Sequence, residues 1–172
     1  MRNNFQFSIF NFQTYRAGGF GLVEIVVVAA MVSIAIVSFG EVARISLRLL
    51  QDEKNALEAS FLLQEGLEGV RALRDQSWNA NIANLANDTN YFLSVGVGSL
   101  WDLTATVQSN INGRYFRTIV FQAVNRNAND QISPSGTLDT GTRKVIVTVS
   151  WRSRNATSSR SAVGYLSNFL QN

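Results

Sequence analysis

Residues 16–46 read RAGGFGLVEIVVVAAMVSIAIVSFGEVARIS, and inside them residues 20–40 are an apolar run broken by one carboxylate, Glu24. As a helix at about 1.5 Å per residue this run spans roughly 31 Å, which matches the hydrocarbon core of a bilayer at about 30 Å. Ser33 and Ser38, its other polar side chains, can bond back to their own helix. A buried core helix is the first alternative, but a chain of 172 residues seldom hides so long a helix that is apolar all round. A secretory signal peptide is the second, but its apolar core is usually only about 7 to 15 residues long and a small-x-small cleavage site follows it. Here Glu41, Val42, Ala43 and Arg44 follow the run, and the small residues Ala17, Gly18 and Gly19 precede it. An acid costs about 2.5 to 3.5 kcal/mol near the centre of a membrane helix. Glu24 lies near one end, where the cost is lower, yet its presence still calls for a partner.

A leader ending in Gly19, then Phe20, then Leu22-Val23-Glu24 and an apolar helix resembles the amino-terminal processing segment of type IV pilins and pseudopilins. The resemblance implies that a membrane aspartyl peptidase, the prepilin peptidase, cuts between Gly19 and Phe20 on the cytoplasmic side. Phe20 then becomes the N-methylated terminus and Glu24 the fifth residue of the mature chain. It further implies an assembly role, in which Glu24 of an incoming subunit meets the Phe20 amine of one already in the filament. Opposite charges attract more strongly in such surroundings than in water. Two features depart from the common pattern. The leader is long, at 19 residues, and no proline precedes Pro134, so Gly40 stands where family members often have a helix-kinking proline. Glycine costs about 1 kcal/mol relative to alanine in a helix, so Gly40 either loosens the helix or marks the membrane boundary. Basic residues do not settle the orientation, because Arg2 and Arg16 precede the run while Arg44, Arg48 and Lys54 follow it. A single-pass inner-membrane protein with its bulk outside the cytoplasm is what the resemblance implies.

Residues 41–77 lack proline and are rich in helix formers, so the helix is expected to continue. Ile45, Leu49, Ala56, Leu63, Leu67 and Val70 share one stripe at the helical period, and Leu50, Leu57 and Phe61 share another. One of the two stripes suits the protein's own sheet and the other suits neighbouring helices. Residues 78–102 begin with Asn-rich sequence that favours turns, and they are expected to be a connector loop. Strands are expected from the alternation of Leu103, Ala105 and Val107, from residues 115–124, from Val145, Val147, Val149 and Trp151, and more weakly from residues 161–166. The expected architecture is therefore α+β: a long amino-terminal helix, transmembrane in its first half, laid on an antiparallel sheet of three or four strands within residues 103–172.

Between two of those strands, residues 125–142 are polar, contain the only proline and read as a long exposed loop. Asp130 and Asp139 offer carboxylates to calcium there, although their spacing matches no calcium-loop motif, and a plain loop is the simpler expectation. Charge is uneven. Residues 41–100 hold five basic and eight acidic side chains, net −3, while residues 101–172 hold eight and three, net +5. Such opposition suits subunit complementarity. DNA binding is the weaker reading, since only Trp151 beside Arg152 and Arg154 joins an aromatic to the basic residues, and a solvated sheet face accounts for the rest. The chain has no His and no Cys, which removes the commonest general base, the thiol nucleophile, most transition-metal ligands and any disulfide. No catalytic residue, metal site or cofactor is expected.

The function expected from all of this is a filament subunit, probable partners being other pilin subunits, the prepilin peptidase and methylase, an inner-membrane assembly platform and membrane lipid. The alternatives are a type II secretion pseudopilin and a single-span anchor whose outer domain binds a ligand without polymerising.

Overall fold

The computed structural model describes residues 19, 21–96, 98, 100–108, 110–153 and 156–172. The chain divides into two compact units, Met1–Leu47 and Arg48–Asn172. One helix, α1 (Leu22–Gln76), contributes to both and runs without a break through Gly40. Its first turn holds Glu24 and its last turn Arg74, each with the sign that the helix macrodipole favours. In the first unit every described residue is exposed. The second unit adds a one-turn helix, α2 (Trp78–Asn81), which Ser77 caps by accepting from the Ala80 N–H at 3.3 Å.

Six strands complete the second unit: β1 (Asn90–Val95), β2 (Trp101–Thr104), β3 (Tyr115–Arg126), β4 (Ile132–Ser133), β5 (Thr137–Ser153) and β6 (Ala156–Ser167). They form one antiparallel sheet in the order β2-β1-β3-β5-β6, with β4 paired to β3. The layout is α+β, as expected, but the sheet is larger than the three or four strands read from the sequence. Residues 78–102 are not a plain connector, because β1 lies within them and β2 starts there. The strand expected over residues 103–107 ends at Thr104. The loop expected over residues 125–142 is mostly hairpin: β3 reaches Arg126, β5 begins at Thr137, and Val124, Asn125 and Arg126 pair with Asp139, Leu138 and Thr137 past a bulge at Ala123/Val124. Backbone pairing there does not depend on apolar side chains, so composition concealed it. The last strand, expected to be short and weak, pairs with β5 over twelve positions.

Period-two alternation puts Tyr115, Ile119 and Phe121 of β3, and Val145, Val147, Val149 and Trp151 of β5, on the buried face. They form one core with Ala59, Leu63, Val70 and Leu73 of α1, and with Trp78, Ile82, Leu93 and Leu166. Gly66 and Gly69 let α1 approach closely. A Cβ on Gly66 would stand 2.8 Å from Val147 Cγ1, and one on Gly69 would overlap Leu93 Cδ2. Of the first stripe, Leu63 and Val70 are buried and Ala56 and Leu67 pack against the core, but Ile45 and Leu49 are exposed. The covered stripe instead runs through Asn55, Ala59, Gly66 and Gly69. Residues 168–172 close the far end: Asn172 accepts from the Trp78 N–H at 3.2 Å and donates to the Asp75 carbonyl at 3.1 Å.

Candidate functional site

The apolar half of α1 is the first candidate. The Gly21 carbonyl accepts from the amides of Glu24 and Ile25 at 2.9 and 3.2 Å, which starts the helix. Ser33 and Ser38 each donate to the carbonyl four residues earlier, Ala29 and Ile34, at 2.8 Å, so the run's hydroxyls are satisfied by their own helix. None of the apolar window is buried, and it is long and apolar enough to cross a membrane. Glu24, Ile25, Val28, Ala29 and Val32 border a shallow, open groove along one exposed helix face.

Gly19 lies just before the helix, and a Cβ there, or at Gly40, would meet nothing within 4 Å. Phe20, to which cleavage and methylation were assigned, lies outside the described residues, as do residues 1–18 of the leader. Glu24 lies in the first turn, where unpaired amide groups favour a carboxylate by about 0.3 to 1 kcal/mol. Sequence reasoning overlooked that second source of tolerance, although the helix start was readable from Gly21.

On the second unit, the stripe of Leu50, Leu57 and Phe61 is the one left open, at 66, 57 and 61% exposed. The basic residues are a correction. Arg117 and Arg143 are buried and do not belong to a solvated face. Arg117 donates to the Leu62 carbonyl at 3.1 Å and lies 3.3 Å from the Glu65 carboxylate. Arg143 clasps the chain between α2 and β1, donating to the carbonyls of Ala83 and Leu85 at 3.2 and 2.8 Å and to Asn87 Oδ1 at 3.0 Å. Burial pushes its pKa down, which measures how far the guanidinium is withdrawn from water. Parity was the missed signal: Arg143 alternates with Val145 and Val147, and Arg117 with Tyr115 and Ile119, on the oily face.

Asp139, offered to calcium from the sequence, accepts from Arg126 Nε at 2.6 Å, and Asp130 lies 3.6 Å from the same nitrogen. The guanidinium occupies the place a cation would take, and it holds the Asp139 carboxyl below the usual carboxylate range, helped by Thr142 and the Gly141 amide. Among the described residues no three His, Cys, Asp or Glu side chains gather as a metal group. Trp151 is buried against Tyr115, so it offers no stacking platform beside Arg152. Arg154 lies outside the described residues. Tyr115 donates to Glu58 at 2.6 Å, and its pKa is raised by burial first and by that carboxylate second. These polar contacts pin sheet to helix and assemble no reaction centre. No family model, no curated protein and no solved structure matches this chain.

Proposed function

We propose that this chain is a structural subunit of a type IV pilus or related filament, of minor-pilin kind, cut after Gly19 and assembled through α1. The observation that carries this reading is the apolar helical stretch of residues 22–40, exposed throughout, in which Glu24 in the first turn is the sole charge. An exposed helix of that composition needs lipid or other helices around it. The groove beside Glu24 and the exposed stripe of Leu50, Leu57 and Phe61 support helices as the final surroundings. In this mechanism the subunit waits in the inner membrane, loses its leader to the prepilin peptidase and is methylated on Phe20. An assembly platform then moves it into the filament, where Glu24 pairs with a neighbour's Phe20 amine and sets the axial register. The role is mechanical and not catalytic.

Mass spectrometry of the amino terminus tests the reading. A chain beginning at methyl-Phe20, from cells with a working prepilin peptidase, is the expected result. A chain retaining Met1 through Gly19 overturns it in favour of a single-span anchor. Fractionation of sheared filaments from the cell envelope separates a surface pilus from a type II secretion pseudopilin.

A further inference from the structure

At the start of the second unit, Arg48, Gln51, Asp52 and Asn55 of α1 face Arg114, Arg152 and Ser153 across a cleft of about 330 Å³. Three guanidinium groups and one carboxylate line it, a balance of +2. Asn55, which is buried, accepts from Arg114 and from Gln51 Nε2, and so fixes the Arg114 head at the wall. Asp52 accepts from Ser153 Oγ at 3.2 Å, which ties α1 to the end of β5. Arg48 and Arg152 are exposed and have no ion-pair partner among the described residues. The walls are thus held by hydrogen bonds to Asn55 and Asp52, while the Arg48 and Arg152 guanidinium groups stay exposed to an anion.

We infer that this cleft binds the phosphate of an anionic phospholipid head group; the inference rests on the membrane-spanning part of the proposed function. Arg48 follows Gly40, the end of the apolar run, by only eight residues in sequence. Guanidinium forks match phosphate oxygens in pairs. A bilayer also supplies its head groups at high local concentration to anything tethered in it, which favours lipid over a dissolved phosphate. Nucleic acid is less well matched, because the neighbouring aromatics Trp151 and Tyr115 are buried.

The test incorporates the full chain into nanodiscs of equal phosphatidylglycerol and phosphatidylcholine and reads the lipids it retains by native mass spectrometry. Wild type is expected to retain phosphatidylglycerol preferentially, and Arg48→Gln and Arg152→Gln are each expected to lower that preference about fivefold. Arg160→Gln, on β6 away from the cleft, should leave it unchanged. Equal retention of the two lipids by wild type, or a preference that survives the double substitution, overturns the inference. So does complete displacement of phosphatidylglycerol by millimolar inorganic phosphate, which would make the site one for free anions. Failure of the chain to enter nanodiscs at all, read separately as protein left outside the discs, overturns the membrane-spanning reading instead and the inference with it.

Discussion

Replacing Gly66 by alanine tests the contact on which the second unit is built, and the sign of the effect follows from geometry. In an exposed helix this substitution stabilises by about 1 kcal/mol, because alanine is the better helix former. At Gly66 the added Cβ would stand 2.8 Å from Val147 Cγ1 and 3.0 Å from Arg117 Cδ, whereas carbon atoms rest at about 3.5 to 4.0 Å. Val147 cannot easily give way. It is fully buried, pairs with Ile119 on one side and Ala162 on the other, and its branched side chain has few rotamers. Overpacking of this kind costs about 1 to 3 kcal/mol. Rigid surroundings place this site toward the upper part of that range, leaving a net loss of about 1 to 2 kcal/mol after the helix gain.

Urea unfolding of the full chain in detergent micelles measures this, followed by the fluorescence of Trp78, Trp101 and Trp151, all in the second unit. At a slope near 2 kcal/mol per M the midpoint should fall by about 0.5 to 1 M. Gly40→Ala is the control on the same helix: nothing lies within 4 Å of its Cβ, and the same transition should move by less than about 0.5 kcal/mol. A Gly66→Ala midpoint equal to or above that of Gly40→Ala refutes the close approach of helix and sheet.

Arg143→Met should cost about 1 to 3 kcal/mol by the same measurement, because it strips the half-buried carbonyls of Ala83 and Leu85 of their donor; a loss under about 0.5 kcal/mol would show that the clasp is idle. Asp139 has a folded pKa below its ordinary value, so its contribution to stability is complete above about pH 4, near the unfolded value, and is lost as pH falls through the lower folded one. Asp139→Asn should therefore flatten the acid side of a plot of urea midpoint against pH below about 4, and an unchanged acid limb would contradict the pairing with Arg126. Glu24→Ala should leave removal of residues 1–19 and methylation intact while lowering the amount of subunit in sheared filaments; incorporation at the wild-type level would remove the assembly role.

The long helix and the two central strands were legible because their patterns are self-sufficient. A 21-residue apolar run has few homes, and Val145 to Trp151 alternate without interruption. What was not legible depends on partners distant in sequence. Tyr91, Phe92 and Leu93 make β1 only because β2 and β3 lie beside them, and their Asn-rich flank reads as loop. Residues 125–139 extend the β3–β5 hairpin through backbone bonds to which side-chain polarity is indifferent. Arg117 and Arg143 read as surface charge because arginine usually is; only a cap of backbone carbonyls, formed by chain 55 to 60 residues away, makes their burial tolerable. The site is legible in a different way. Gly19, Phe20 and Glu24 form a local pattern whose partners, in the proposed function, belong to other molecules, so folding one chain leaves Glu24 and the groove beside it open.

Two energies decide what surrounds that open helix. Twelve large apolar side chains in residues 22–39 are roughly half to four-fifths exposed, and covering them is worth on the order of 20 kcal/mol at about 1.5 to 3 kcal/mol each. A gain of that size favours lipid or packed helices over water around this segment. Lipid and a bundle of like helices satisfy the apolar term about equally, which leaves Glu24 to discriminate between them. In lipid its charge costs at most about 2.5 to 3.5 kcal/mol and the helix dipole returns only about 0.3 to 1 kcal/mol. A neighbour's amine within reach would offset most of the remainder. Under the proposed function, lipid is therefore a tolerable place for the helix to wait and a bundle that brings an amine to Glu24 a better place for it to end, which would give assembly its direction.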